Sequence, residues 1–462
     1  MKKFLSLSLA VCLVCSCFAG CSPFPPMTPP TKADPVLPPE TEPTTAPIET
    51  EPVITEPVTT EPVGDTEVVV EPVAGELDAT TGFELWQGEW ISHLRNDSKD
   101  ENVIVSPLSL KMACLLVAAG ADGETQKQIL NFFGYETLDE FMTWGENIMA
   151  VQQSLIQEDT PDIADGPTDG EGEMWFSSAM PTTGVFKIAN GIWHNINQPG
   201  TFTDAYRERV SRLNAQVDEL AGEHLKDAIN DWAEEATNGL IPEVVGDEVK
   251  DQNNILANAL YLKAGWVKKF SEYLLENEDF TTSTGEIVKK TMMQQQGNFR
   301  YYADADSEMA IFPMSSGFYM AVVKGDNSNI QTMIDSSQLE LLNIKMPKFD
   351  ITYKSTSIPQ FMQNNGIVDA FNPAVADFSQ MMDVDTFVSG ITQNAKIIVD
   401  ENGVEAAAVT VVQMATSSFN PDPPKPIDFF VDEAFTFYIY HEVEMEDGMF
   451  VPELLFYGEY NK

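Results

Sequence analysis

Between Val399 and Ser418 the chain carries a stretch that few folds can accommodate. Asp400-Glu401-Asn402-Gly403 leads into a run of small residues from Val404 to Val412. Read with a period of two, Val404, Ala406, Ala408, Thr410, Val412 and Met414 share one face, and none is charged. The other face carries Glu405, Ala407, Val409, Val411, Gln413 and Ala415. Such a segment can enter the middle of a sheet with its single charge facing out. It nevertheless runs into Ser417, Ser418 and Phe419 and then into Pro421, Pro423, Pro424 and Pro426, which is the chemistry of exposed chain. Two readings stay open: a buried strand followed by a loop, or a segment that is loop in one state and strand in another.

The rest of the chain divides by composition. Residues 1–20 read as an export leader: a basic start at Lys2 and Lys3, an apolar run from Phe4 to Val14, then small residues before Cys21. Phe18-Ala19-Gly20-Cys21 resembles a bacterial lipobox, which implies lipidation of the Cys21 thiol. Cleavage without lipidation, or lipidation at Cys15 or Cys17, are the alternatives. Residues 21–80 are a Pro/Thr/Glu-rich linker in which Glu-Pro-Val recurs at Glu51, Glu61 and Glu71. Proline stiffens it, like charges extend it, and it has too little apolar surface to fold. Residues 81–462 have globular composition. A leader, a lipid and a stiff spacer together predict a domain held off the outer side of a bacterial membrane, or secreted. The net charge of −46, from 26 basic and 72 acidic residues, argues against nucleic acid as a partner. Once the leader is removed, Cys114 is an isolated thiol beyond Cys21, so no disulfide framework braces the fold.

Helical spacing predicts helices over Trp86–His93, from Pro107 onward, over Thr125–Phe133 and over Leu138–Ile156. An acidic Gly/Pro-containing loop follows at 158–173. Strand-like runs come later, among them 186–192, 255–262, 309–313, 319–323, 435–440 and 454–457. Helices first and strands later predict an α+β domain. Enzyme chemistry finds no support. The four histidines, His93, His194, His224 and His441, stand in no metal-binding spacing and read as packing or surface residues. No nucleophile elbow, phosphate loop or dinucleotide fingerprint occurs. No cofactor and no metal are expected.

A colinear series of motifs then resembles one family over roughly 380 residues. It comprises Asn102 to Ser109 with Gly120-Ala121 and Gly123-x-Thr125; Asn230-x-Trp232 with Thr237 to Ile241; Asn258 to Trp266 with Phe270; Met292-Met293-x-Gln295; Met346-Pro347-Lys348-Phe349; Ala376 to Ser379; and Phe429-x-Val431-Asp432-x-Ala434-Phe435. Together with the stretch at 399–418 it is similar to the serpins. The resemblance implies three β-sheets, eight to nine helices and an exposed reactive-centre loop offered as bait to a serine protease. It implies an inhibitor rather than an enzyme, a monomer whose partner is the protease it traps covalently. Glu401, Gly403, Val404, Glu405, Ala406, Ala407, Ala408, Val409 and Thr410 would form the hinge. Lys348 would pair with Glu401 where the loop enters the main sheet. Ser106, Ser109 and Asn258 would form the polar cluster that lets the central strands part, with Gln393 in place of the family's histidine. The family's spacing puts the cleaved bond between Ser417 and Ser418, with a cut after Phe419 as the alternative. The window 414–419 contains no Arg or Lys, which favours elastase-like or subtilisin-like proteases. A non-inhibitory member acting as a binding module is the other reading, though the hinge lacks the Pro or bulky charge such members carry.

Overall fold

The computed structural model describes residues 84–98, 100–157, 184–271, 276–391, 393–404, 425–444 and 450–462. The leader, Cys21, the linker, the 158–173 loop, hinge residues 405–410 and the bond at 417–419 lie outside the described residues.

Ser106 starts the buried axis of the domain. Its side chain accepts from the Ser109 N–H at 3.1 Å, and Pro107 at the first helical position needs no donor there. The helix that follows is apolar on nearly every side, so it is covered all round rather than along one stripe. In chain order the elements are α1 (Leu85–Asp97), β1 (Val103–Val105), α2 (Pro107–Gly120), α3 (Gly123–Phe132), α4 (Leu138–Gln157), β2 (Val185–Asn195), α5 (Asp204–Ser211), β3 (Gln216–Leu220) and α6 (Gly222–Ala236). Then follow β4 (Asn254–Gly265), β5 (Glu276–Thr281), β6 (Ile287–Ala303), β7 (Ser307–Pro313), β8 (Phe318–Gly325), α7 (Ile330–Ser336), β9 (Gln338–Pro347), β10 (Phe349–Ser355) and α8 (Ile358–Asn364). The chain ends with β11 (Gln393–Asp400), β12 (Gly403–Val404), β13 (Ile427–Phe430), β14 (Phe435–Glu444) and β15 (Phe450–Tyr460).

The expected α+β architecture is present, with eight α-helices among the described residues. A six-stranded sheet has the order β10-β11-β12-β4-β2-β3. The remaining strands join one hydrogen-bonded path, β1-β15-β14-β8-β7-β6-β9-β13, with β5 beside β6. The other two expected sheets are fused in that path because β6 is long enough to serve both. Its first part pairs with β5 and β9, and its end, from Arg300 to Ala303, pairs with β7. The main core lies between α2 and the strands, and it includes Trp90, Leu115, Trp266, Phe312 and Tyr457. A smaller cluster, Trp193, Leu225, Ile229, Val249 and Ile255, seats the apolar stripe of α6 on the six-stranded sheet.

Candidate functional site

The site is the seam between β4 and β11. At its upper end the chain leaves β11, turns through Glu401 and Asn402, and re-enters the sheet as β12. Gly403 and Val404 lie opposite Gly265 and Ala264 on one side and opposite Asp400 and Val399 on the other. The small side chains predicted to enter a sheet therefore begin to do so at Val404, which is 3% exposed. The turn is held by the residues that follow β4. Trp266 N–H donates to Asn402 O at 2.9 Å, Phe270 N–H to Glu401 O at 3.1 Å, and the Trp266 indole N–H to Asp400 O at 2.8 Å. Lys269 Nζ donates to Asn402 Oδ1 at 3.3 Å.

Lys348, in the one-residue step between β9 and β10, forms an ion pair with Glu401. Burial opposes the Glu401 charge, but Lys348 and the residue's own backbone N–H outweigh it and hold the carboxyl below its ordinary value.

Midway down the seam runs a row of polar contacts. Ser109 Oγ donates to Asn258 Oδ1 on β4. Asn258 Nδ2 donates to Asn190 Oδ1 on β2 at 2.7 Å, and Asn190 Nδ2 to Leu213 O at 3.3 Å. On the β11 side Gln393 is bound twice to the backbone of Ser106. Its Oε1 accepts from Ser106 N–H at 2.9 Å and its Nε2 donates to Ser106 O at 2.8 Å. The four residues singled out in the sequence thus lie together as two contacts, each tying one strand to the start of α2. Below β12, two cavities of about 40 and about 170 Å³ lie along the same seam, sharing Leu256 of β4 with Val388 and Gly390.

Sequence reasoning missed Asn190, Trp266 and Lys269 as parts of the site. Asn190 left a trace, because it interrupts the inward apolar alternation Phe186, Ile188, Ile192 with an amide that is 2% exposed. Trp266 stood in the motif from Asn258 onward with no role attached, and Lys269 left no sign, since the partners of both lie on a distant turn: backbone oxygens of Asp400 and Asn402 for Trp266, the Asn402 side chain for Lys269. Cys114 lies buried in α2, and burial alone pushes its thiol up, away from the thiolate a nucleophile needs. Among the described residues no group of three or more His, Cys, Asp or Glu could hold a metal ion. Among them, too, no helix is long and apolar enough to cross a membrane.

Residues 88–460 match the family model described as Serpin (serine protease inhibitor). Serpin-Z10 of Arabidopsis thaliana is 26% identical over 372 residues, covering 73% of this chain and 87% of the relative. Antithrombin-III of Homo sapiens is 26% identical over 364 residues, covering 71% of this chain and 72% of the relative. The crystal structure of Serpin48 from the insect Tenebrio molitor has a TM-score of 0.62 at 23% identity, covering 82% of this chain and 96% of that one.

Proposed function

The chain belongs to the serpin family, and from that premise we propose that it is an inhibitory member that traps a serine protease as a covalent acyl-enzyme. The observation that carries this reading is the seating of Gly403 and Val404 between β4 and β11, with cavities continuing down the seam beneath them. The strand is begun, and the small cavities below it mark where the seam is loosely packed and β4 and β11 can part. Continuing the same antiparallel register brings Ala406, Ala408 and Thr410 opposite Leu262, Leu260 and Asn258, all on the inward face. Every one of these incoming side chains is small and uncharged, so their burial leaves no unpaired charge in the sheet.

The chemistry belongs to the target enzyme. Its serine hydroxyl attacks the Ser417 carbonyl carbon, an ester forms, and the amine of Ser418 leaves with the proton delivered by the enzyme's base. The new chain end then inserts as a strand before water reaches the ester. Each added residue pairs backbone groups on both sides, so the uncut form is held by a barrier rather than by depth of minimum. Absence of Arg and Lys from 414–419 favours elastase-like or subtilisin-like targets. The apolar run before Cys21 and the acidic linker favour anchorage of the domain through lipid at Cys21.

The deciding experiment incubates the mature protein with elastase-like, subtilisin-like and chymotrypsin-like proteases. A complex that survives boiling in detergent, with a released C-terminal peptide beginning at Ser418, is the expected result. Turnover as a substrate without a complex would overturn it and leave the binding-module reading. Loss of metabolic lipid label on Cys21→Ala tests the anchor, and undiminished membrane-bound label would exclude it.

A further inference from the structure

Below the Ser109–Asn258 contact, Asn254, Leu256 and Asn258, which share one face of β4, line the cavities, and Ile255 borders the larger one. The opposite side is formed by the segment from Thr386 to Ile391 and by Gln393 at the start of β11. A direct bond crosses the larger cavity's lining here. Asn254 Nδ2 donates to Thr386 Oγ1 at 3.3 Å, and both residues line that cavity. The Asn254 amide is itself oriented. Its Oδ1 lies 3.0 Å from His194 Nδ1 on β2, and His194 is 0% exposed. An amide oxygen can only accept, so His194 donates from Nδ1 and the Asn254 NH2 is turned toward Thr386. His194 Nε2 is buried with no partner among the described residues, so no second bond competes for the ring's orientation.

We propose that Asn254 and Thr386, oriented by His194, form a latch at the lower end of the seam that limits how readily β4 and the β11 side part over their full length. The proposal rests on the inhibitory reading, because it concerns the last stretch a strand must enter. The register set by β12 carries Met414 to a position opposite Asn254, so a strand inserted down to that rung meets this bond. The Ser109–Asn258 and Gln393–Ser106 contacts each tie one side of the seam to α2. The Asn254–Thr386 bond instead joins the two sides to each other. Asn254, Thr386 and His194 act here as positioning residues.

The test compares Thr386→Val, which keeps the shape and removes the hydroxyl, with Thr386→Ser, which keeps the oxygen. The readout is uptake of a synthetic peptide of sequence 403–414 by the uncut mature protein, together with the molar ratio of inhibitor consumed per protease trapped. A partly buried hydrogen bond of ordinary strength predicts uptake several-fold to about tenfold faster in Thr386→Val, with Thr386→Ser near wild type. His194→Phe should approach the Val variant, since Asn254 is then free to rotate. Wild-type uptake rates in Thr386→Val would overturn the latch. If the wild-type protein takes up no peptide and traps no protease, the inhibitory reading has failed and the latch is judged separately. Amide exchange at Leu256 should still quicken about tenfold in Thr386→Val alone, and unchanged exchange would overturn it.

Discussion

Lys348 and Glu401 meet in an ion pair that fastens the β9–β10 step to the turn from which β12 enters the seam. Their side chains are 29% and 16% exposed, so the pair is neither fully screened nor fully dry. It therefore acts on stability and on hinge seating together.

Neutralising either partner should cost about 1 kcal/mol, the value of a charged hydrogen bond discounted for partial exposure. Lys348→Met and Glu401→Gln should cost similar amounts, and the double variant little more than either. The pH dependence has a definite sign. Glu401 is held below its ordinary value of 4.5, so its contribution is present above that value and is lost as pH falls through the folded-state pKa. Denaturation between about pH 6 and about pH 3 should show wild type losing more stability than Glu401→Gln. Equal losses would remove the pair from any role in stability.

Gly403 has φ of 147°, and a Cβ there would collide with the carbonyl oxygen of Ala264. Gly403→Ala should cost about 1–3 kcal/mol through backbone strain at the point where β12 starts. Thermal unfolding reads this directly. An unchanged midpoint would mean that β12 shifts to make room.

Ala408 comes opposite Leu260 when the register of β12 is continued. Ala408→Arg would bury an unpaired guanidinium on the inward face, at a cost of several kcal/mol. Insertion should then lag behind hydrolysis of the acyl-enzyme. The expected protein is folded and is cleaved without trapping. Trapping with the wild-type stoichiometry would defeat the insertion mechanism.

Lys111, 2% exposed in α2, lies 2.5 Å from Glu84 and 4.4 Å from the centre of the Trp144 ring. Glu453 on β15 also feels this charge. Removal from water pushes its carboxyl up to about 7, while Lys111 draws it down and Glu84 pushes it up. A raised folded-state value means the contribution is present below the ordinary 4.5 and is lost as pH rises to about 7. Stability should therefore decline across that interval, and Glu453→Gln should flatten the decline. A slope unaffected by the substitution would assign it to other groups.

Much of this protein was legible before any coordinate. The two-residue alternation from Val404 to Met414 is a local property, and so is the Ser106-Pro107 start of α2. Both depend only on neighbours along the chain, as do the motifs whose order marked the family. The partners along the seam were decided elsewhere. Gln393 stands 287 residues from Ser106 and spends both amide atoms on that residue's backbone, so it ties β11 to α2 rather than to Asn258. Asn190 meets Asn258 across 68 residues, and Asn254 meets Thr386 across 132. Local pattern fixes which face of a strand a side chain takes. Which strand lies beside that face depends on long loop closures and on the order in which strands join a sheet, and no short window of sequence contains either.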